Sequence, residues 1–193
     1  MRLAILDSGH SFATKILFAI IRIASRQPVP EAVKLVMYRP DFYGAPMGKI
    51  THEAMRGPSA WSIGDRELMA ALVSKINMCD YCINAHTAVS AKAYRDQAKV
   101  AAALADFETA PIDEPLRATL RMLAKLTRER KVSADDMRAL LAANVSRQQI
   151  MDALAVGFAF NAMNRLADAF EFAIGEPRAF EVGAQYLLKR GYR

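Results

Sequence analysis

The chain has 193 residues, of which 53% are hydrophobic and 24% charged, and its formal net charge at pH 7 is +6. This balance is typical of a globular domain with its own hydrophobic core, and it excludes a chain that is disordered or fibrous throughout. The positive charge permits an acidic partner, but no basic tract interleaved with aromatic residues indicates nucleic-acid binding, so we expect none.

The first predicted helix covers about residues 11–26, where Phe12, Ile16, Ile20 and Ile23 share one face. We interpret this apolar face as a contact with the core or with another subunit, in preference to a membrane surface. The strongest apolar run, residues 16–21, is far too short to span a bilayer. The first residues also lack the apolar stretch of a signal peptide, and we therefore expect a cytoplasmic protein with no membrane partner.

Long stretches without glycine or proline follow Gly64, and their apolar spacing predicts consecutive helices. One is predicted from Asp65 to Asn77, and the next begins around Asp80. No segment alternates apolar and polar residues as a half-buried strand does. The sequence therefore predicts an all-α fold in a single domain, residues 1–193, with a helical core at about 30–175. The N-terminal helix and the C-terminal tail are assigned to oligomer contacts.

A later amphipathic helix is predicted over residues 113–128, and it carries a basic stripe along one face. The stripe consists of Arg117, Arg121, Lys125 and Arg128. Such a stripe is usually a solvated face, and docking of an acidic partner is the alternative. The last long helix is predicted to begin at a capping box of Ser146 and Gln149.

Cys79 and Cys82 are the two cysteines of the chain, and His86 follows Cys82 by four residues. On a helix that begins near Cys79, all three side chains share one face. A helix N-terminus and a C-x-x-C context both lower the pKa of a cysteine, which favours a reactive dithiol. His86 can exchange a proton near neutral pH. Glu67, on the preceding helix, can join the group only if the two helices pack in the right register.

Other interpretations of this C-x-x-C stay open at this point. The cysteines can be two small buried hydrophobic residues. A structural zinc site needs four ligands, so His10, His52 or a carboxylate would have to complete Cys79, Cys82 and His86. A c-type haem attachment is excluded because Ile83 follows the second cysteine.

The spacing E-x11-C-x-x-C-x3-H, formed by Glu67, Cys79, Cys82 and His86, resembles the active-site motif of the AhpD-like alkylhydroperoxidase family, within the carboxymuconolactone decarboxylase superfamily. The phrases RPDFYGAP, WSIGDREL and NAMNRLADAF resemble its peroxidase-related branch. The resemblance implies an all-α, AhpD-like helical domain that forms a homo-oligomer.

The resemblance also implies a thiol-dependent peroxidase with peroxiredoxin-type, antioxidant activity. Cys82 would attack the hydroperoxide, Cys79 would resolve it as a disulfide, and Glu67 and His86 would relay protons. Tyr81 stands where the best-studied members have histidine, and we assign it to the wall of the peroxide-binding pocket. No metal or further cofactor is implied beyond the redox-active disulfide. The electron donor would be an unidentified dithiol or lipoyl-type partner.

Two alternatives come from other classes of function. One is a non-redox enzyme of the carboxymuconolactone decarboxylase type, which acts on a lactone. The other is a non-catalytic helical protein that binds a metal or serves as a scaffold.

Overall fold

The computed structural model describes residues 3–192, so residues 1, 2 and 193 of the predicted domain lie outside the described part. Within residues 3–192 the chain forms eleven α-helices and one π-helical turn, Pro40–Gly44, with no strand. The predicted all-α fold is confirmed. The helices are α1 (Ile5–Ser8), α2 (Phe12–Ser25), α3 (Glu31–Tyr38), α4 (Ala45–Arg56), α5 (Ile63–Ile76), α6 (Asp80–Tyr94), α7 (Gln97–Ala105), α8 (Glu114–Glu129), α9 (Ala134–Ala142), α10 (Arg147–Ala169) and α11 (Pro177–Arg190).

Helix α5 lies at the centre of the fold. Every residue from Arg66 to Ser74 is buried, because α4, α6, α7, α8 and α10 all pack against this helix. Leu68 and Met69 contribute to a core that also includes Leu123 of α8 and Val156 of α10. A helix enclosed on all sides places any polar residue it carries in a dry environment, which sets the conditions for Glu67.

Hydrogen-bonded caps define where the long helices begin. The predicted capping box of α10 is present: the Ser146 hydroxyl accepts from the Gln149 amide at 3.2 Å, and Gln149 Oε1 accepts from the Ser146 amide at 3.0 Å. Helix α5 begins with a second box, formed by Ser62 and Asp65. These caps satisfy backbone donors that no helical carbonyl can reach.

Helix α2 does not contribute to the core. None of its residues is buried, and Phe12 and Ile23 are 80% and 78% exposed. The interpretation of its apolar face as a core contact is therefore wrong, because α5 is already enclosed by other helices. Contact with another subunit stays a prediction. Among residues 3–192, no helix has the length and apolar character needed to cross a bilayer.

Three of the four residues in the basic stripe of α8 have partners within the chain. Arg121 pairs with Glu108, and Lys125 pairs with Asp136 of α9. The Arg117 guanidinium donates to several backbone carbonyls of the loop that precedes α8. These contacts favour a solvated face that stabilises neighbouring loops over a docking surface.

Candidate functional site

Glu67 is completely buried, one turn into α5, and its carboxylate accepts hydrogen bonds from three side chains. Arg56 Nη2 donates to Oε1 at 2.7 Å, and the Tyr192 hydroxyl donates to Oε1 at 2.9 Å. His86 Nδ1 lies 2.7 Å from Oε2. Helices α5 and α6 thus pack in the register that brings Glu67 to His86, although the two residues are 19 positions apart.

The charge of Glu67 is stabilised against its burial. Burial alone raises the pKa of this carboxyl, but the hydrogen bond from His86 and the charges of His86 and Arg56 outweigh it and hold the pKa below its usual value. The opposite applies to Tyr192, whose pKa is raised well above the usual value by burial and then by the charge of Glu67. The phenol therefore keeps its proton and donates a hydrogen bond to the carboxylate.

Helix α6 begins at the dithiol, as predicted. Cys79 is the N-cap residue of α6, and Cys82 lies in the first turn. The turn from α5 is closed by the Cys79 amide, which donates to the Ser74 carbonyl at 3.0 Å, and by Met78 in the left-handed region at φ 59°. Cys82 and His86 therefore lie on the same buried face of α6, one helical turn apart.

Both cysteines are free thiols, with exposures of 0% for Cys79 and 6% for Cys82. The hydrogen bond that Cys82 shares with Cys79, followed by burial and the charge of Cys79, raises the pKa of Cys82. The expected lowering of a cysteine pKa by the helix N-terminus is therefore not seen at Cys82. In this arrangement the Cys82 thiol holds its proton.

Tyr81 lies beside the dithiol and forms part of its wall. Its ring packs edge to face against Phe172 at 5.3 Å and Phe180 at 5.9 Å between centroids. Tyr81 and Phe172 both pack against the buried pair Cys79 and Cys82. Burial raises the pKa of the Tyr81 phenol, so its hydroxyl is a poor proton shuttle.

Sequence reasoning missed three residues that contact the predicted group. Arg56 and Tyr192 both donate to Glu67. Phe160 of α10 packs its ring edge against His86, with 4.2 Å between centroids. These contacts span 11 to 125 positions in the chain, so no local spacing could have indicated them.

The alternative zinc site finds no ligand set in the structure. Among residues 3–192, no three His, Cys, Asp or Glu side chains converge as a metal site would require. His10 is held elsewhere by the Leu6 carbonyl at 2.9 Å. His52 accepts a hydrogen bond from the Tyr192 amide at 3.3 Å, near the C-terminus of the chain.

Comparison with known proteins agrees with this geometry. Residues 40–125, which include Glu67, Cys79, Cys82 and His86, match the carboxymuconolactone decarboxylase family. An uncharacterised peroxidase-related protein from Silicibacter sp. TM1040 is 25% identical, covers 91% of each chain and superposes with a TM-score of 0.77. An AhpD-core peroxidase-related protein from Ralstonia eutropha JMP134 is 20% identical and has the same TM-score, over 95% of this chain and 96% of that one.

The chain is thus similar to this family over residues 40–125, and its fold is the AhpD-like helical fold. The AhpD-like helical fold also occurs in the debrominase Bmp8, solved in complex with 2,3,4-tribromopyrrole, which is 16% identical. That alignment covers 88% of this chain and 89% of the debrominase, with a TM-score of 0.71. No curated protein sequence matches this chain significantly.

Proposed function

We propose that this AhpD-like protein is a thiol-dependent hydroperoxide reductase, or more broadly a dithiol oxidoreductase. The observation that carries the proposal is a buried dithiol at the start of α6, one turn before a histidine that contacts a buried carboxylate. An activated thiol requires a nucleophile, a base beside it and a carboxylate that orients the base, and these three groups meet here in that order.

The proposed reaction has two redox steps. The Cys82 thiolate attacks the terminal oxygen of ROOH, the O–O bond breaks, and the alkoxide takes a proton and leaves as ROH. Cys82 is then a sulfenic acid, and the Cys79 thiolate attacks its sulfur to form the disulfide; the S–O bond breaks, and the hydroxide takes a proton and leaves as water. Two electrons and two protons from a dithiol or lipoyl-type donor return the disulfide to the dithiol.

Glu67 and His86 are the proposed proton relay. The carboxylate accepts a hydrogen bond from His86 Nδ1–H, which leaves Nε2 free to accept a thiol proton. The raised pKa of Cys82 gives this base a necessary role, because the thiol does not ionise unaided at neutral pH. The same imidazolium can return the proton to the leaving oxygen.

The family match also keeps a non-redox reaction of the carboxymuconolactone decarboxylase type as the second candidate. A dithiol that shares a hydrogen bond favours the redox reaction, since a lactone decarboxylation has no use for a second sulfur. We further propose a cytoplasmic location, where a dithiol donor is available, and a homo-oligomeric assembly.

Consumption of an organic hydroperoxide in the presence of a dithiol reductant tests the proposal. We expect Cys82→Ser to abolish turnover. Without the reductant, Cys79→Ser should reduce one equivalent of hydroperoxide and then stop, with a sulfenic acid on Cys82 that a dimedone-type reagent traps. Wild-type rates in Cys82→Ser would refute the proposal. Turnover of a lactone by the double serine variant would favour the second candidate.

A further inference from the structure

Helix α11 and the segment before it cover the dithiol. Helix α11 packs along α6, and Phe180 from its first turn contacts Tyr81. Phe172, in the segment between α10 and α11, closes the same side. With these residues in place Cys79 is 0% and Cys82 6% exposed, although the proposed function requires the disulfide to meet a dithiol donor.

Helix α11 packs along α6 but contributes little to the hydrophobic core of the bundle. Ala184 is the one fully buried residue of α11 in the described structure. The segment from Phe172 to Glu176 that leads to α11 is not helical. Elements with few buried apolar contacts open locally at a lower free-energy cost than the global fold.

Polar contacts at the far end of α11 add to its small share of the buried core. The Tyr192 hydroxyl donates to both oxygens of Glu67, at 2.9 and 3.1 Å. Arg56 lies over the Tyr192 ring at 5.1 Å and donates to the Leu187 carbonyl at 3.2 Å. The C-terminal end of the cover is thus anchored to the carboxylate that also holds His86.

Gly191 makes the turn that delivers Tyr192 to Glu67. Its φ is +70°, a conformation that side-chain-bearing residues rarely adopt. A Cβ atom at this position would lie 2.7 Å from two atoms of the His52 ring. The anchor therefore depends on a glycine at this position.

We propose that α11 is a gate over the dithiol, and that Tyr192 is the positioning residue that holds the gate closed through Glu67. Release of Tyr192 frees α11 to leave α6, which exposes Cys79 and Cys82 to a bulky dithiol donor. The same release removes one donor from the Glu67 carboxylate, so gate and relay change together. The inference rests on the proposed function in one respect, since the gated thiols are its reactive pair.

Thiol alkylation in the native protein tests the gate without any peroxide turnover. Rates are measured with iodoacetamide and with a bulky polymer-linked maleimide. We expect Tyr192→Phe to raise both rates about tenfold or more, because a hydrogen bond to a charged group typically contributes at least that factor. Tyr186→Phe, a matched change at an exposed site on α11, should leave both rates unchanged.

Gly191→Ala provides a second, independent variant. It should raise the alkylation rates as Tyr192→Phe does. Gly183→Ala, within α11, is the control and should not raise them, because its added Cβ would meet no neighbouring atom within 4 Å. Folded variants with wild-type alkylation rates would overturn the proposal, even if the protein proves to be an active peroxidase. Conversely, an inactive protein with the expected alkylation rates would retain the gate and refute only the proposed function.

Hydrogen exchange separates a gate from general destabilisation. In Tyr192→Phe the amides of α11 should exchange about tenfold faster or more, while those of α5 keep their wild-type protection. Equal acceleration in both helices would mean global unfolding and would refute the gate. In the wild-type protein, α11 amides that exchange no faster than those of α5 would also overturn it.

Discussion

Replacement of Glu67 by glutamine removes the negative charge that stabilises Arg56 inside the bundle. The side chain of Glu67 is 0% exposed and that of Arg56 is 8% exposed, so neither water nor salt can replace the lost partner. Glutamine has nearly the same shape, and its single carbonyl oxygen can still accept from Arg56 and Tyr192. His86 Nδ1, in contrast, would face an amide and must change tautomer to pair with it.

The expected loss follows from the buried charge that remains. Removal of one partner of a buried ion pair typically costs about 3–5 kcal/mol. Because glutamine preserves part of the hydrogen bonding, we expect the lower end of that range, about 3 kcal/mol. For a domain of this length each kcal/mol lowers the Tm by about 2–4 °C, so Glu67→Gln should lower it by about 6–12 °C.

The effect should also depend on pH in a defined direction. Since the folded-state pKa of Glu67 is lowered, its contribution to stability is present above the pKa of the unfolded carboxyl, about 4.3. It is lost as the pH falls through the folded-state value. The difference between wild type and Glu67→Gln should therefore be largest near neutral pH and shrink in acid.

Thermal and urea denaturation at matched protein concentration measure this difference. Glu108→Gln is the control, because Glu108 and Arg121 form an exposed pair for which about 0–1 kcal/mol is expected. Addition of Arg56→Met to Glu67→Gln should recover part of the loss, since no buried charge then remains. A Glu67→Gln variant as stable as Glu108→Gln at pH 7 would refute the reasoning.

Substitutions at three further positions test contacts that hold α5 in place. Trp61→Phe removes the indole donor to the Gln149 carbonyl at 2.8 Å, and urea denaturation should show a loss of about 1–3 kcal/mol with an unchanged m-value. Gly64→Ala places a Cβ 2.9 Å from the Tyr94 ring, and calorimetry should show about 1–3 kcal/mol lost to overpacking; an unchanged Tm would contradict that packing. Ser62→Ala removes the cap of α5 and should cost about 1 kcal/mol by urea denaturation, whereas Ser62→Gly should cost only a few tenths.

The local features of this protein were predictable because they depend on neighbouring residues. Apolar spacing and capping residues determine where helices such as α5 and α10 begin. The phase of Cys79, Cys82 and His86 on α6 follows from helical geometry alone. The contacts between helices are of another kind: Asn161 of α10 accepts from Asn77, and Asn164 accepts from Ser74 of α5.

The sequence by itself thus determined an all-α fold and a dithiol with a histidine one turn away. Only the tertiary structure decided that Glu67 meets His86, that Cys82 keeps its proton, and that Tyr192 closes the group from 125 positions along the chain. The physical reason is that burial and long-range hydrogen bonds set the charge of each group. Both depend on how whole helices pack, and no spacing within one helix records them.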